Sequence, residues 1–489
     1  MDTKLRSKFL ILITWFLLSD VTIAAEIVVS GLKSSPLDLL RADAELGDNP
    51  VIGRLACPAF TRLNLAIKGS EGLIARNVEL NKSQLLWKFE LRTGIYWWSG
   101  KKLLPSEVVN FVEENLENAI TNQGLSQWKI PAFKITANEK YVEVLWESKP
   151  EFGPFVLNGI PVHRKSDKYA PLGFECVGLY SLHSSKNGLT MKPTSGYPQR
   201  RKKIELIDDL TLKSGMRFSL GNSTGGNPWS RLSDEKANCD GTILQPDFSL
   251  IMWNLKSANI RKAEIRKSLT MLTPRGALLR SGTGDLGELV TSIIPRQHPG
   301  YNSSLKIRPH DTKLAMKAFD DVGIKRVTSD GYRRDTSSKI FEIRLVKEDD
   351  SAGIIEKVLI DAFAAVGIRL KLVLKGDRND TEDGIITGVS VDWPQVNFLA
   401  DLHSKGNGLF GLNDSSTNMD QLLLDYSKSL TFEKPDFSLL EKIHGKIYSA
   451  EPFTVIMQHS QCINVTNEYK SKLRVVDFIN PDWFKRLSN

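Results

Sequence analysis

The chain lacks several features that would point to common classes of protein. After residue 25, no segment approaches the eighteen or so consecutive apolar residues of a transmembrane helix. The phosphate-binding pattern GxxxxGK[ST] and the metalloprotease pattern HExxH are both absent. The seven histidines are scattered and the four cysteines include no CxxC pair, which disfavours zinc. We therefore expect a water-soluble globular body with no metal and no cofactor.

Two glycine patterns fit catalytic or cofactor motifs but stand in the wrong context. Residues 282–287 fit GxGxxG, yet a helical segment precedes them where the dinucleotide fingerprint needs a strand. Residues 221–225 fit GxSxG, but Gly-Asn-Pro follows at once, so the helix of a nucleophile elbow cannot begin there. Both are interpreted as loops, and no enzyme is predicted. A hydrolase using two distant carboxylates remains an alternative.

The charge balance gives no indication of nucleic acid. The formal net charge is +8 over 489 residues, which favours solubility. The densest basic run, residues 200–203, leads into a strand-like segment and has no interleaved aromatics. We interpret it as a solvated strand end and predict no nucleic-acid partner.

The first twenty-five residues have the layout of a secretory signal peptide. Three basic residues precede an apolar run from Phe9 to Leu18, and small residues end in Ala24 and Ala25. A run of about ten residues is too short to span a bilayer. The first cysteine is Cys57, so none follows the predicted cleavage site to carry a lipid. We predict an exported, soluble mature chain.

An oxidising compartment would allow the cysteines to pair. Cys57, Cys176, Cys239 and Cys462 lie far apart along the chain. They could form zero, one or two disulfides, with three possible full connectivities. The sequence alone does not choose among them.

Hydrophobic periodicity predicts an α/β body. The stretch WKFELRTGIYWWSGKKLLPSEVV, Trp87 to Val109, alternates as a strand, passes through a second, aromatic strand at residues 95–98, and enters a helix that continues to about Asn122. Residues 341–374 predict a strand, a helix and a strand, which is a βαβ unit in a partly parallel sheet. Residues 214–245 are interpreted as loop-rich.

Other segments complete this pattern. Further strands are predicted at residues 27–29, 248–253 and 453–457, a strand pair at 133–146, and further helices at 262–272, 312–322 and 436–450.

Several segments match, in order, the motifs of one family. Trp87 to Val109 resembles the signature "tFkLRkGvkFsdGtpltAeDVv" of the family 5 extracellular solute-binding proteins. Similar matches follow along nearly the whole mature chain, at residues 173–180, 252–254, 266–269, 294–301, 311–323, 366–368, 388–394 and 418–423. The family contains the periplasmic peptide-, nickel- and haem-binding components of ABC importers.

The resemblance implies a periplasmic-binding-protein-like α/β fold with two lobes, a hinge between them and an inserted subdomain. On that template residues 1–25 are the signal peptide. Lobe I would contain residues 26–57, 175–255 and 455–489, the inserted subdomain 58–174, and lobe II 256–454. The ligand would be held between the lobes.

The resemblance also implies where the ligand is held. Asp392 matches the aspartate that binds the ligand's α-amino group in the family's peptide binders, and a buried carboxylate facing an ammonium makes a charge-assisted hydrogen bond. Trp393 would form a wall of the site. Val389 stands where the family usually has a tryptophan, which removes one aromatic wall. The alternative is that Asp392 only begins a turn.

The implied function is that of a periplasmic receptor without catalysis. It would be a monomer that captures a short peptide and delivers it to the permease subunits of an ABC importer. A nickel chelate, haem or an oligosaccharide are alternative ligands. The replacement by Val389 also allows an adaptor that keeps the fold but has lost the small-molecule site.

Overall fold

The computed structural model describes part of the chain. The described residues are 27–30, 56–64, 69–72, 74–122, 131–150, 154–157, 160–169, 172–185, 188–195, 204–207, 216–219, 241–283, 287–296, 298–327, 329–347, 353–374, 382–390, 419–429 and 436–465. The predicted signal segment lies outside them, as do Asp392 and Trp393.

Strands dominate the first half of this part of the chain, and most of the helices follow in the second half. The α-helices are α1 Pro105–Asn122, α2 Ala263–Leu272, α3 Arg275–Thr283, α4 Thr312–Asp321, α5 Gly353–Ala365, α6 Met419–Ser429 and α7 Phe437–Ala450. The strands are β1 Ile27–Ser30, β2 Thr61–Asn64, β3 Gly69–Gly72, β4 Ala75–Leu80, β5 Leu86–Leu91, β6 Phe133–Ala137, β7 Tyr141–Trp146, β8 His163–Lys165, β9 Phe174–Cys176, β10 Tyr180–Ser185, β11 Gly188–Pro193, β12 Ile204–Ile207, β13 Met216–Ser219, β14 Gly241–Trp253, β15 Gly287–Glu288, β16 Lys325–Arg326, β17 Arg333–Arg334, β18 Glu342–Lys347, β19 Arg369–Leu374, β20 Gly384–Ser390 and β21 Phe453–Val465.

A mixed sheet of eleven strands is the largest sheet of the described structure. Its order is β10-β11-β12-β1-β13-β21-β14-β20-β18-β19, with β15 paired to β21. Strands β18 and β19 are parallel and α5 connects them, which confirms the predicted βαβ unit. The division of the chain into two lobes and an inserted subdomain stays a prediction.

Strands β14 and β21 are the long central pair of this sheet. Each has 13 residues, and they run antiparallel along most of their length. The ladder is interrupted between the pairs Leu244–Ser460 and Phe248–Gln458. We call this interruption, where residues 245–247 of β14 stand opposite His459 of β21, the central break.

Both central strands are longer than their apolar pattern predicts. The strand expected at residues 248–253 begins at Gly241, and the one expected at 453–457 continues to Val465. Strand β13, too, lies inside the segment interpreted as loop-rich. The prediction failed because these extensions are polar and because Pro246 disfavours a central strand.

The segment that begins at Trp87 belongs to a separate sheet of order β4-β5-β7-β6. Trp87, Phe89 and Leu91 alternate on the buried face of β5, as the period of two predicts. Helix α1 has the predicted bounds and packs against this sheet. The aromatic strand expected at residues 95–98 is wrong, because this stretch makes only isolated bridges, from Tyr96 to Lys102 and from Trp97 to Val177.

A disulfide joins Cys57 to Cys176, with the two Cα atoms 5.1 Å apart. It connects chain segments 119 residues apart, on either side of the stretch expected to form the inserted subdomain. Trp98 packs beside it, since its indole N–H donates to the Ala56 carbonyl at 2.8 Å and its backbone N–H to the Cys176 carbonyl at 3.0 Å. The disulfide therefore joins the two ends of the chain segment that forms this unit.

A cluster of charged side chains includes Glu175, which precedes Cys176 in the chain. The Arg164 guanidinium contacts both Glu107 and the buried Glu175, and its central carbon lies 4.2 Å from the Trp97 ring centroid. Glu107, in the first turn of α1, accepts from the Trp97 indole N–H at 3.0 Å and from the Leu104 backbone N–H at 2.9 Å. It supplies one half of a capping box where Leu104 cannot cap. Trp97 and Trp98 are both buried, so they pack as part of the scaffold.

Arg266 connects α2 to the end of α7. Its side chain is buried and donates to the carbonyls of Ala450 and Glu451, and also to those of Ile260 and Arg261. Glu451 has left-handed backbone angles and ends α7. The guanidinium thus satisfies helix carbonyls that have no partner within the helix.

Replacing Asp311 by alanine should lower the free energy of unfolding by about 1 kcal/mol. Asp311 is the N-cap of α4, and its carboxylate accepts from the Leu314 backbone N–H at 2.9 Å. Asp321→Ala, at the other end of α4, is the matched control. A carboxylate there faces the negative end of the helix dipole, so its removal should be neutral or slightly stabilising. Urea unfolding of both variants measures the difference; equal effects would contradict the capping role.

Candidate functional site

The predicted site begins where β20 ends. Val389 is the next-to-last residue of β20, and it is half-buried against the hydrophobic core. It pairs with Phe248 of β14, which is fully buried. Asp392 and Trp393 follow but lie outside the described residues. The ligand-binding roles of all three stay predictions.

A buried carboxylate lies beside this end of β20. Asp247 of β14 pairs with Ser390, the last residue of β20, and only 8% of its surface is exposed. Asp247 also belongs to the central break, so the end of β20 and the break meet at one point of the sheet. Motif comparison did not single out Asp247.

His459 and Ser249 form a buried polar pair next to Asp247. His459 Nε2 lies 2.7 Å from Ser249 Oγ, across β21 and β14. The exposed fraction is 1% for His459 and zero for Ser249. His459 Nδ1 is buried and has no hydrogen-bond partner among the described residues. Burial lowers the pKa of His459 to about 4, so the imidazole is neutral at pH 7.

Strand β15 closes the other side of β21 at the same level. Gly287 pairs with His459, and Glu288 pairs with Gln458. Gly287 has a φ of +147°, and a Cβ there would come within 2.7 Å of the Gln458 carbonyl oxygen. Only glycine allows the two backbones to approach this closely. The Gln458 side-chain oxygen accepts from the Arg296 backbone N–H at 3.2 Å, which holds the following loop.

Two further buried histidines organise that loop. His298 Nδ1 accepts from the Gly300 backbone N–H at 2.9 Å, and His444 Nδ1 of α7 accepts from the Asn302 backbone N–H at 2.9 Å. His444 must then carry its proton on Nε2, which lies 2.9 Å from Thr291 Oγ1. Burial lowers the pKa of His298 to about 3 and that of His444 to about 4.

Local sequence patterns did not single out these groups. None of the four polar residues belongs to a recognised motif; they are Asp247, Ser249, Gln458 and His459. The only available signal was polar residues interrupting the apolar strand segments at 247–253 and 453–460. Their meeting depends on a strand pairing across 210 residues, which local patterns do not specify.

The described residues carry no feature of a metal site or a membrane span. They contain no group of three or more His, Cys, Asp or Glu side chains that could hold a metal ion. Within the same part of the chain, none of the helices is both long and apolar enough to cross a bilayer.

Comparison of sequences finds no relative, since neither a family model nor a curated protein matches the chain.

Comparison of structures finds proteins of similar fold. NikA from Brucella suis, in complex with Fe(III)-EDTA, matches with a TM-score of 0.68 at 12% identity over 90% of this chain and 95% of NikA. NikZ from Campylobacter jejuni, in complex with Ni(L-His), matches with a TM-score of 0.61 at 15% identity over 90% of this chain and 93% of NikZ. The oligopeptide-binding protein AppA from Bacillus subtilis, in complex with a nonapeptide, matches with a TM-score of 0.60 at 14% identity over 91% of this chain and 94% of AppA.

These neighbours are family 5 solute-binding proteins and have the two-lobed periplasmic-binding-protein fold. The chain has that fold, which confirms the fold class predicted from the sequence. The neighbours are binding proteins rather than enzymes, in agreement with the prediction of a receptor without catalysis. Identities of 12 to 15% establish the fold alone.

Proposed function

We propose that this protein is the solute-binding component of an ABC importer and captures a short peptide between its two lobes. The observation that carries the proposal is the likeness of fold, over about nine tenths of the chain, to binding proteins that include one holding a nonapeptide. The predicted signal peptide supports an exported, periplasmic location. The loaded protein would then dock, as a monomer, on the permease subunits of the importer.

The ligand's amino group would be held by Asp392. In the sequence this residue comes two positions after the end of β20, and the last residue of β20, Ser390, pairs with the buried Asp247 of β14. Trp393 would supply an aromatic wall, and backbone groups would pair with the peptide. A carboxylate removed from water gains most from a charged partner, so an ammonium ligand should be bound most strongly.

Thermal-shift and calorimetric screening of the mature chain tests the class of ligand. The panel contains di- to pentapeptides, nickel-histidine complexes, haem and oligosaccharides. A peptide at a hundred times its Kd should stabilise the fold by about 2.7 kcal/mol. If another class stabilises the protein and peptides do not, the peptide assignment is wrong. If nothing binds, an adaptor without a small-molecule site becomes the better account; turnover of any panel member would indicate a hydrolase.

Asp392→Ala should weaken peptide binding by about 2–4 kcal/mol, since it leaves a bound ammonium without its counter-charge. Asp361→Ala, at an exposed position of α5, is the matched control and should bind peptide like the wild type. Isothermal titration of both variants with the best peptide of the screen measures the effect. Equal affinities would show that Asp392 only forms a turn. A peptide acetylated at its amino terminus should lose affinity for the wild type and the control, but much less for Asp392→Ala.

A further inference from the structure

The central break separates two regions of the large sheet. On one side of it, the first residues of β14 and the last residues of β21 lie next to β13 and β1. On the other side, the rest of β14 lies between β21 and β20, followed by β18 and β19. Strands β14 and β21 both run through the two regions. A change in the angle between the regions must therefore bend both strands.

The break is a place where such a bend disturbs few hydrogen bonds between β14 and β21. Three residues of β14 stand opposite one residue of β21, so the regular ladder is already absent there. The middle residue, Pro246, has no N–H to donate. A register shift of this kind lets a strand change direction at one point while the pairing on both sides is kept.

His459 is the residue opposite the break, and its ring is only partly satisfied. Nε2 is hydrogen-bonded to Ser249, which lies on the β20 side of the break. Nδ1 is buried, and no group in the described part of the chain bonds to it. Whichever tautomer is present, one ring nitrogen is bonded and the other has lost its hydrogen bond to water. Such an unsatisfied group costs the arrangement that buries it about tenfold or more in an equilibrium constant.

We propose that His459 is the positioning residue of a hinge at the central break. Its bonded Nε2 holds β14 and β21 together, while its unpartnered Nδ1 disfavours the arrangement described here relative to a bent one in which Nδ1 reaches water. As a result, two states that differ in the angle between the two regions are both populated. The proposal rests on capture between lobes as the proposed function, but its test requires no ligand.

The double variant Ser249→Ala/His459→Leu removes both polar partners together, so that neither is left buried alone. It should shift the ligand-free equilibrium toward the arrangement described here by about tenfold. Small-angle X-ray scattering of the ligand-free protein measures this shift: the variant's profile should fit this structure alone, and the wild type should require a second, differently bent state. Identical profiles for wild type and variant would overturn the proposal, whatever the peptide screen shows.

The matched control is Thr291→Ala/His444→Leu. That pair is also a buried histidine with a hydroxyl partner, but both ring nitrogens of His444 are bonded, and neither residue belongs to the two strands of the break. This variant should be less stable and should scatter like the wild type. A change in its profile equal to that of the first variant would mean that loss of any buried histidine alters the shape, which also overturns the proposal.

Hydrogen exchange of the wild type tests the hinge even if the double variant does not fold. The backbone amides of Gln458 and His459 should exchange at least about tenfold faster than those of Ile456 and Met457, because a bend at the break disrupts their pairing with β14 and β15 first. Equal protection of the four amides would contradict a hinge at this position.

Discussion

Replacing Cys57 and Cys176 together by alanine is expected to lower the free energy of unfolding of the unit that they close by about 4–5 kcal/mol. The disulfide closes a loop whose ends are 119 residues apart. Without it, the unfolded chain regains the freedom of a long open segment, and in the chain-entropy account the cost of a cross-link grows with loop length. Alanine is preferred to serine here because both cysteines are buried.

Intrinsic tryptophan fluorescence during urea unfolding reports on this unit. Trp87, Trp97, Trp98 and Trp146 are all buried and all lie between the two cysteines. The double variant and the reduced wild type should both unfold at lower urea concentration than the oxidised wild type. The reduced wild type unfolding at the same midpoint as the oxidised protein would contradict the expected contribution of the disulfide.

Acidification from pH 7 to pH 5 should cost this protein on the order of 5 kcal/mol of stability through three histidines. Burial lowers the folded pKa to about 3 for His298 and to about 4 for His444 and His459. The ordinary value in an unfolded chain is 6.5. Between these values the unfolded chain binds more protons than the folded one, so stability is full above pH 6.5 and is lost as the pH falls toward 4.

Two buried carboxyl groups act in the opposite direction. Burial raises the pKa of Glu451 and of Asp383. Their folded forms bind protons more readily than the unfolded chain, so these groups gain stability as the pH falls toward their ordinary pKa values. They should oppose the loss that the histidines cause, so the net loss should be smaller than the histidines alone would give.

Urea unfolding at half-unit steps from pH 8 to pH 4.5 measures the acid dependence. His444→Leu should remove about one third of the slope between pH 6.5 and pH 5, although it lowers stability at every pH. A wild-type stability that stays constant between pH 7 and pH 5 would contradict neutral burial of the three histidines.

Much of the fold could be predicted from local patterns. The apolar stripe and Pro105 set α1 correctly at Pro105–Asn122, and alternation set β18 and β19 to within one residue at their starts. These elements bury one face each, so their period is visible in the sequence. Motif order supplied the two-lobed fold, because a degenerate pattern shared over most of a chain carries information that no single motif has.

The parts that could not be predicted depend on contacts between distant segments. The pairing of Cys57 with Cys176 could be predicted only if the two ends of this unit were known to lie side by side. The polar ends of β14 and β21 satisfy their backbone groups in each other, so they need no apolar pattern. The same holds for His459, whose ring is hydrogen-bonded to Ser249, 210 residues earlier in the chain.

The distance along the chain between the two central strands also sets the order of folding. Strand β21 begins 200 residues after the end of β14, yet it separates β14 from β13 in the sheet. Contacts this distant carry a large loop-closure cost, so the centre of the sheet should form late and slowly. Until β21 is available, β13 and β14 both present an open edge at which other chains could pair. The growing chain should therefore depend on chaperones until its last strand is in place.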